Sequence, residues 1–368
     1  MQRYLLLLSL SFIFLFSFVI ITACQQRNAF EYASPAYTLS LPKDHASHHA
    51  YRTEWWYYTG HLTSKEGRQF GYQLTFFRTA LSLEDAKASD DASRKHVYFA
   101  HFAITDEDNR KFYFKEKQSR GAFGEANAAE DYYKVFIGNW SVQDVGKYML
   151  LQAESDSLSL VLILEALKPA VLHGEKGYSQ KGESPQNASM YYSYTRLKST
   201  GVLTLNGTRY TVEGESWKDH EFGTSQLDKN SIGWDWFSMQ FSDSTELMVY
   251  TLRQTDGSIG RFSTGTFVAA DGSTQHLTKD DFKIEVLERY TSKKSGATYP
   301  AKWKIWIPKL DLEVTVTPTV QNQELLTQES TRITYWEGSV SLAATRQQNT
   351  LTGKGYVELT GYAKPLNL

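Results

Sequence analysis

The densest run of reactive side chains is Gly214-Glu215-Ser216-Trp217-Lys218-Asp219-His220-Glu221-Phe222-Gly223. Asp219 and Glu221 flank His220, and Trp217 and Phe222 enclose the group. Neighbouring carboxylates raise the basicity of an imidazole, and partial burial lifts a carboxyl pKa toward neutrality. The run therefore suits general acid–base work, and equally a solvated turn with ordinary charge pairing. As a metal site it is poor, because one His beside adjacent acids lacks the ligand spacing of zinc motifs, and no metal is expected.

A second segment, Gly233-Trp234-Asp235-Trp236-Phe237-Ser238-Met239-Gln240-Phe241, reads as a strand. Alternation sends Asp235, Phe237, Met239 and Phe241 to one face and Trp234, Trp236, Ser238 and Gln240 to the other. Asp235 thus heads an apolar stripe expected to face a barrel interior. A carboxyl there is costly unless it is paired or protonated. Asp235 is either a candidate acid or a structural partner of Arg253 or Arg78. In Glu54-Trp55-Trp56-Tyr57-Tyr58 the same rule groups Glu54, Trp56 and Tyr58 against Trp55, Tyr57 and His61. His101 lies in an aromatic strand and reads as a core histidine. His45, His48 and His49 read as an exposed polar loop.

The elements that must position these groups are strands. Candidates include Glu54–Leu62, Phe70–Arg78, His96–Thr105, Leu158–Glu165, Gly201–Gly214, Gly233–Ser242, Glu246–Arg253, Arg332–Ser341 and Gly355–Gly361, separated by Gly, Asn, Asp and Ser turns. Ser82–Ser93 reads as a helix or a loop, and His173–Ser189 as a long loop. A weak repeat aligns Trp55-Trp56 with Trp234-Asp235-Trp236, each opening a hairpin that ends in an Arg, Arg78 or Arg253. The pattern predicts an all-β chain of antiparallel barrels or sandwiches, and the repeat a duplicated β-domain, with residues 24–222 and 223–368 as the two domains.

Composition narrows the function. The chain has 39 Lys+Arg against 41 Asp+Glu, without a block of like charge, so nucleic acid is not an expected partner. Tyr 23, Phe 20 and Trp 9 favour strands and line apolar pockets, which suits a small apolar ligand. No Gly-x-Ser-x-Gly elbow and no phosphate-cradling glycine loop occurs. Arg3, an apolar run from Tyr4 to Ile21, and Ile21-Thr22-Ala23-Cys24 describe an export signal over residues 1–23. Cys24, the single cysteine, resembles the acylated residue of a lipobox, which implies membrane attachment through an N-terminal lipid. The expected location is the cell envelope, on the periplasmic or extracellular face, and the outer membrane in a Gram-negative cell.

The chain resembles the carotenoid 1,2-hydratases (hydroxyneurosporene synthases) and the related AttH-like secreted proteins. The matching pieces are Thr53-Glu54-Trp55-Trp56-Tyr57-Tyr58-Thr59-Gly60, Trp217 with Asp219-His220-Glu221, Gly233-Trp234-Asp235-Trp236, Tyr335-Trp336-Glu337-Gly338 and Gly355 to Tyr362. The resemblance implies two lipocalin-like (calycin) barrels with a ligand site near where they meet. It also implies cofactor-free addition of water to an alkene of an isoprenoid, lipid or polyketide-like substrate. Such an alkene must first take a proton, and the resulting cation needs aromatic faces around it. By analogy Asp235 would donate the proton, with His220 and Asp219 assisting. Trp217, Trp234 and Trp236 would line the pocket, joined by Trp56, Tyr58, Phe237 and Tyr250. Two positions depart from the hydratase pattern: Phe222, where Trp is expected, and Gly233. A lipocalin-type carrier of lipid or pigment is the alternative reading, and an accessory envelope lipoprotein a third.

Overall fold

The structure, a computed structural model, describes residues 30–81, 95–225 and 227–366. The export signal, Cys24 and the Ser82–Ser93 stretch lie outside the described residues. Strand accounts for 62 % and helix for 4 %, so helices are confined to single turns such as Lys43–His45 and Lys279–Asp281. All strand pairings are antiparallel except one isolated bridge, Asn187–Ser225.

Two sheets carry the chain. The first runs from the Thr53–Ser64 strand to the Thr208–Gly223 strand, which pair with each other in its middle. It curls into a nearly closed barrel, and Lys117 on one end strand hydrogen-bonds Asn139 near the other. The second begins at Ser231–Phe241, ends in sequence at Asn349–Leu359, and remains a curled half-barrel. This all-β architecture is the one the strand and turn pattern predicts, and its lipocalin-like form the one the family resemblance implies.

Burial patterns explain how the sheets meet. The Leu158–Ala166 strand alternates between buried and accessible residues, as a strand does with one wet face. By contrast, nearly every residue of Thr53–Ser64, Ser231–Phe241 and the last half of Thr208–Gly223 is buried. Their inner faces fill the two barrels, and their outer faces cover each other. Trp56, Tyr58, Phe76, Phe102 and Trp140 fill the first barrel, while Phe237, Met239, Trp303 and Trp336 fill the second. Burying each such side chain contributes roughly 1.5–3 kcal/mol. Polar bonds cross the seam as well: His61 Nε2 meets the Gly355 carbonyl at 2.9 Å, His101 Nδ1 meets the Tyr335 hydroxyl at 2.7 Å, and Thr105 donates to Gln323 at 2.6 Å. Gly71 is needed for this approach, since a Cβ there would lie 2.6 Å from the Tyr356 hydroxyl.

Two local expectations change. The His173–Ser189 segment is partly strand, because Val171–Leu172 and Tyr178–Gln180 both pair with Ala188–Leu205. Gly174 and Gly177, both at positive φ, make the turn that its glycine-rich composition disguised as a loop. The His45–His49 stretch is not an exposed loop either. His45 is buried against Tyr133, Tyr192 and Tyr194, and His48 stacks on Phe222 at 3.6 Å between centroids. Aromatic stacking and carboxylate partners outweigh the polar look of that sequence.

Candidate active site between the sheets

Strand alternation sorts the Trp217–Phe222 run onto two faces. Trp217, Asp219 and Glu221 point outward from the first barrel toward the second sheet, whereas Lys218, His220 and Phe222 point away from it. Across the seam stand Trp236, Tyr250, Tyr356 and Glu358. Tyr57 and Tyr191 complete the aromatic cluster from the first sheet. Trp236 meets Tyr57 edge-on at 5.2 Å and Trp217 edge-on at 6.2 Å.

Asp219 is the best-organised acid of this cluster. Its carboxylate accepts from Trp217 Nε1 at 2.6 Å, from the Tyr191 hydroxyl at 2.7 Å and from the Ser193 hydroxyl. Trp236 Nε1 in turn donates to the Tyr191 oxygen at 3.1 Å, linking the second sheet to the acid. Burial pushes Asp219 up to about 7, against the pull of its three donors. Glu358 accepts from Trp234 Nε1 at 3.0 Å and is likewise pushed up to about 7 by burial. Glu337 lies opposite Glu358 in strand register, and burial together with that neighbouring charge holds it well above the ordinary carboxyl range. The Tyr57 hydroxyl lies close enough to temper Glu337, yet neither it nor Glu337 Oε1 completes a well-formed hydrogen bond.

Counter-charge is scarce here. Glu221 is paired with Lys181 and bonded by Ser189. Among the described residues Asp219, Glu337 and Glu358 have no cationic partner. Desolvated carboxyls facing one another cannot all ionise, so protons remain on them at neutral pH. A protonated acid beside Trp and Tyr faces can deliver a proton to an apolar group and stabilise the cation that results.

The residues singled out in the sequence thus divide among three places. Asp219, Trp217, Trp236 and Tyr250 come together at the seam, and Trp234 borders it through Glu358. Asp235 and Phe237 face the second barrel instead. There Asp235 accepts from Arg253 Nε and the Tyr362 hydroxyl, each at 2.9 Å, and the guanidinium lies over the Tyr362 ring. Burial raises Asp235, with Arg253 opposing. Asp235 is thereby a paired acid on the opposite face of its strand from Trp236, not an acid shared with His220 and Asp219. Gly233 has no room for a side chain, since a Cβ would lie 2.5 Å from the Thr360 carbonyl oxygen and 2.9 Å from Arg253.

His220, Trp56 and Tyr58 lie inside the first barrel. His220 Nε2 is 2.9 Å from Glu54 Oε1, and its Nδ1 is 3.0 Å from the Tyr192 hydroxyl. Trp56 stacks on the imidazole, and Tyr58 shares a 2.5 Å hydrogen bond with Tyr133. Burial lowers His220 to about 3, so it is neutral. Glu54 also binds the His48 ring at 2.8 Å and Arg78 at 3.1 Å. Burial would lower His48, but hydrogen bonds with Asp44 and Glu54 raise it to about 9. The His48–Glu54–His220 triad has metal-ligating atoms close together. Their 2.8–2.9 Å spacings are those of hydrogen bonds, and the Arg78 guanidinium already neutralises Glu54, so the group fits a structural network better than a cation.

Glu337, Glu358, Tyr57, Tyr191 and Tyr356 carry the seam without having been singled out as site residues. The signal for two of them was available: Glu337 and Glu358 each stand mid-strand between apolar neighbours, the pattern that drew attention to Asp235.

The AttH-like family profile matches residues 32–362. The crystal structure of a protein assigned as AttH from Nitrosomonas europaea is 31% identical, with a TM-score of 0.82, covering 90% of this chain and 100% of that one. Kievitone hydratase from Nectria haematococca is 15% identical, with a TM-score of 0.71, covering 92% of this chain and 97% of that one. No curated protein matches the sequence.

Proposed function

The chain belongs to the AttH-like family, and on that premise we propose that it is a cofactor-independent hydratase or isomerase of an apolar alkene, working at the seam between its sheets. The observation that carries this reading is the set of buried carboxyls, Asp219, Glu337 and Glu358, held without cations among Trp and Tyr rings. The hydratase named among the proteins of like fold supports water addition as the reaction. The resemblance of Trp217 with Asp219-His220-Glu221, and of its companion segments, to carotenoid 1,2-hydratases supports an isoprenoid or lipid-like substrate.

In the proposed cycle the carboxylic acid of Asp219 protonates the less substituted alkene carbon. The π pair forms the new C–H bond and leaves a tertiary cation over the faces of Trp217, Trp236 and Tyr57. Water adds to the cation, and its extra proton returns to the carboxylate, so the acid is regenerated. Loss of a neighbouring proton instead of water addition gives the isomerised alkene. Burial, with the neighbouring Glu221 charge adding, disfavours a negative charge on Asp219 and holds the proton there until substrate takes it. The role first assigned to Asp235 passes in this proposal to Asp219, because Arg253 already engages Asp235.

A carrier of lipid or pigment is the second reading, favoured by the Asp235–Arg253 pair, which gives that acid a purely structural role. In either case we propose that the protein is held at the envelope by lipid on Cys24. Incubating the purified protein with a panel of isoprenoid alkenes and scanning for products heavier by one water tests the enzyme directly. Retention of an unchanged alkene with no product would favour the carrier.

A further inference from the structure

Ser193 and Asp219 stand directly opposite each other on adjacent antiparallel strands, which places hydroxyl and carboxyl on one face. Beyond Ser193 lies His173, a buried histidine that the seam chemistry leaves unused. Its backbone N–H donates to the Tyr191 carbonyl, and its ring packs on Tyr191 at 4.2 Å between centroids. The imidazole is thereby held between the sheets. Nε2 is 2.7 Å from the Ser193 hydroxyl, and Nδ1 is 2.9 Å from the hydroxyl of Thr266 in the second sheet. Thr266 pairs in register with His276 of the outermost strand, Thr274–Thr278, where His276 is exposed. A continuous chain of hydrogen bonds thus runs from Asp219 to within one strand of solvent.

Two chains from the second sheet converge on the Asp219 carboxyl, and they differ in kind. Trp236 reaches Oδ2 through Tyr191, and Thr266 reaches Oδ1 through His173 and Ser193. When Asp219 is ionised, every bond points at it. Ser193 donates to Oδ1, so it accepts from Nε2–H of His173, and Nδ1 accepts from Thr266. A protonated Asp219 needs one chain to turn round. An indole only donates, so Trp217 and Trp236 cannot reverse, and a reversed Tyr191 would aim its hydrogen at a donor. The hydroxyls of Ser193 and Thr266 and a neutral imidazole can each exchange the two roles.

We propose that Thr266, His173 and Ser193 form a reversible proton relay that loads Asp219, with His173 changing the nitrogen that carries its hydrogen each time the acid gains or loses a proton. In loading, the Ser193 hydroxyl proton passes to Asp219 Oδ1, and the Nε2 proton replaces it on Ser193. Nδ1 takes the Thr266 hydroxyl proton, and hydronium at the sheet edge restores that hydroxyl and becomes water. Each O–H or N–H bond that breaks is matched by one that forms, and one proton is delivered. Burial lowers His173 to about 3, with Lys181 and His276 acting in the same direction, so the ring switches without ionising. Glu221, Glu358 and Tyr57 face the acid at the other end. His173 acts only through Ser193 and Asp219 and is a positioning residue; its use in catalysis rests on Asp219 being the acid of the reaction proposed above.

The test is nitrogen-15 NMR of the full chain labelled at its histidine rings, which separates a nitrogen carrying hydrogen from a bare one; His173→Gln assigns the signal. His173 should be Nδ1–H below the Asp219 midpoint of about 7 and Nε2–H above it. Ser193→Ala should abolish the switch while the Asp219 carboxyl still titrates. Asp219→Asn should likewise fix one tautomer, and it carries the test if Ser193→Ala fails to fold. His276→Gln should leave the switch in place. A His173 that keeps one tautomer as pH crosses this range, or still switches in Asp219→Asn, overturns the relay, as does a switch lost with His276→Gln; the hydratase reading survives these results. A switch in the native chain combined with full turnover by Asp219→Asn supports the relay and overturns that reading instead.

Discussion

Glu337 and Glu358 stand directly opposite each other on adjacent antiparallel strands, with Trp236 opposite Glu358 on its other side. Facing carboxyls in a sheet are within about 5.5 Å at Cβ and repel when both are charged. Burial raises Glu358 to about 7, with the Asp219 and Glu221 charges adding, and burial together with the Glu358 charge holds Glu337 well above the ordinary carboxyl range. The folded state therefore keeps a proton that the unfolded chain releases near 4.3. Stability from this group is whole below the unfolded value and falls as pH rises toward about 7. Replacing Glu358→Gln removes the penalty. The melting temperature of the variant minus that of the native chain should grow between about pH 4.5 and 7.5. A difference that stays flat with pH would contradict a raised Glu358.

Asp219 and Asp235 separate in the next prediction. Asp219→Asn should lower turnover of a hydrated alkene by about a hundred-fold or more, the usual cost of losing a general acid. Asp235→Asn leaves Arg253 unpaired and should destabilise the fold by roughly 3 kcal/mol. Turnover per folded molecule should stay near the native level, because Asp235 faces away from Trp236 and the seam. Kinetics on both variants, corrected for the folded fraction, checks this. Equal losses would place the acid elsewhere.

Much of this arrangement was legible in the chain. The turn spacing gave the all-β plan, and alternation correctly put Trp236 opposite to Asp235 and Tyr57 opposite to Trp56. The same rule applied to Trp217–Phe222 would have separated Asp219 from His220 at once; proximity in sequence suggested one cluster where the strand makes two. The partners of Glu54 were not readable, because His48, Arg78 and His220 come from segments joined only by the closed barrel. Nor was the seam itself, since alternation gives each strand two faces but not which one a second sheet will cover. The glycine at 233 looked like lost aromatic surface and proves to be a packing requirement set by Thr360 and Arg253.

Glu54 supports the first barrel. Removing its charge with Glu54→Gln leaves the buried Arg78 without its anion and His48 with Asp44 alone, a loss of about 3–5 kcal/mol. Chemical denaturation would show it as a lower midpoint. The native contribution from His48 is present below the unfolded value of 6.5 and is lost as pH rises through about 9. Excess zinc should leave the melting temperature of the native protein unchanged. A zinc-dependent rise abolished by His220→Ala would show that the triad binds metal after all.

The attachment expected of Cys24 is testable without any substrate. The chain expressed in a bacterium should fractionate with membranes and carry the mass of a diacylglyceryl group on a peptide beginning at residue 24. Cys24→Ala should release it to the soluble envelope fraction. An unmodified cysteine in the native protein would overturn the anchor.

The central claim is that acids between the sheets hold protons at neutral pH, and carboxyl carbon chemical shifts report this atom by atom. In protein labelled with carbon-13 at the aspartate and glutamate side-chain carboxyls, Asp219 should titrate with a midpoint near 7, and its signal should vanish in Asp219→Asn. A midpoint near the ordinary 3.9 for that carboxyl would contradict the account, because an acid already ionised at neutral pH has no proton to give.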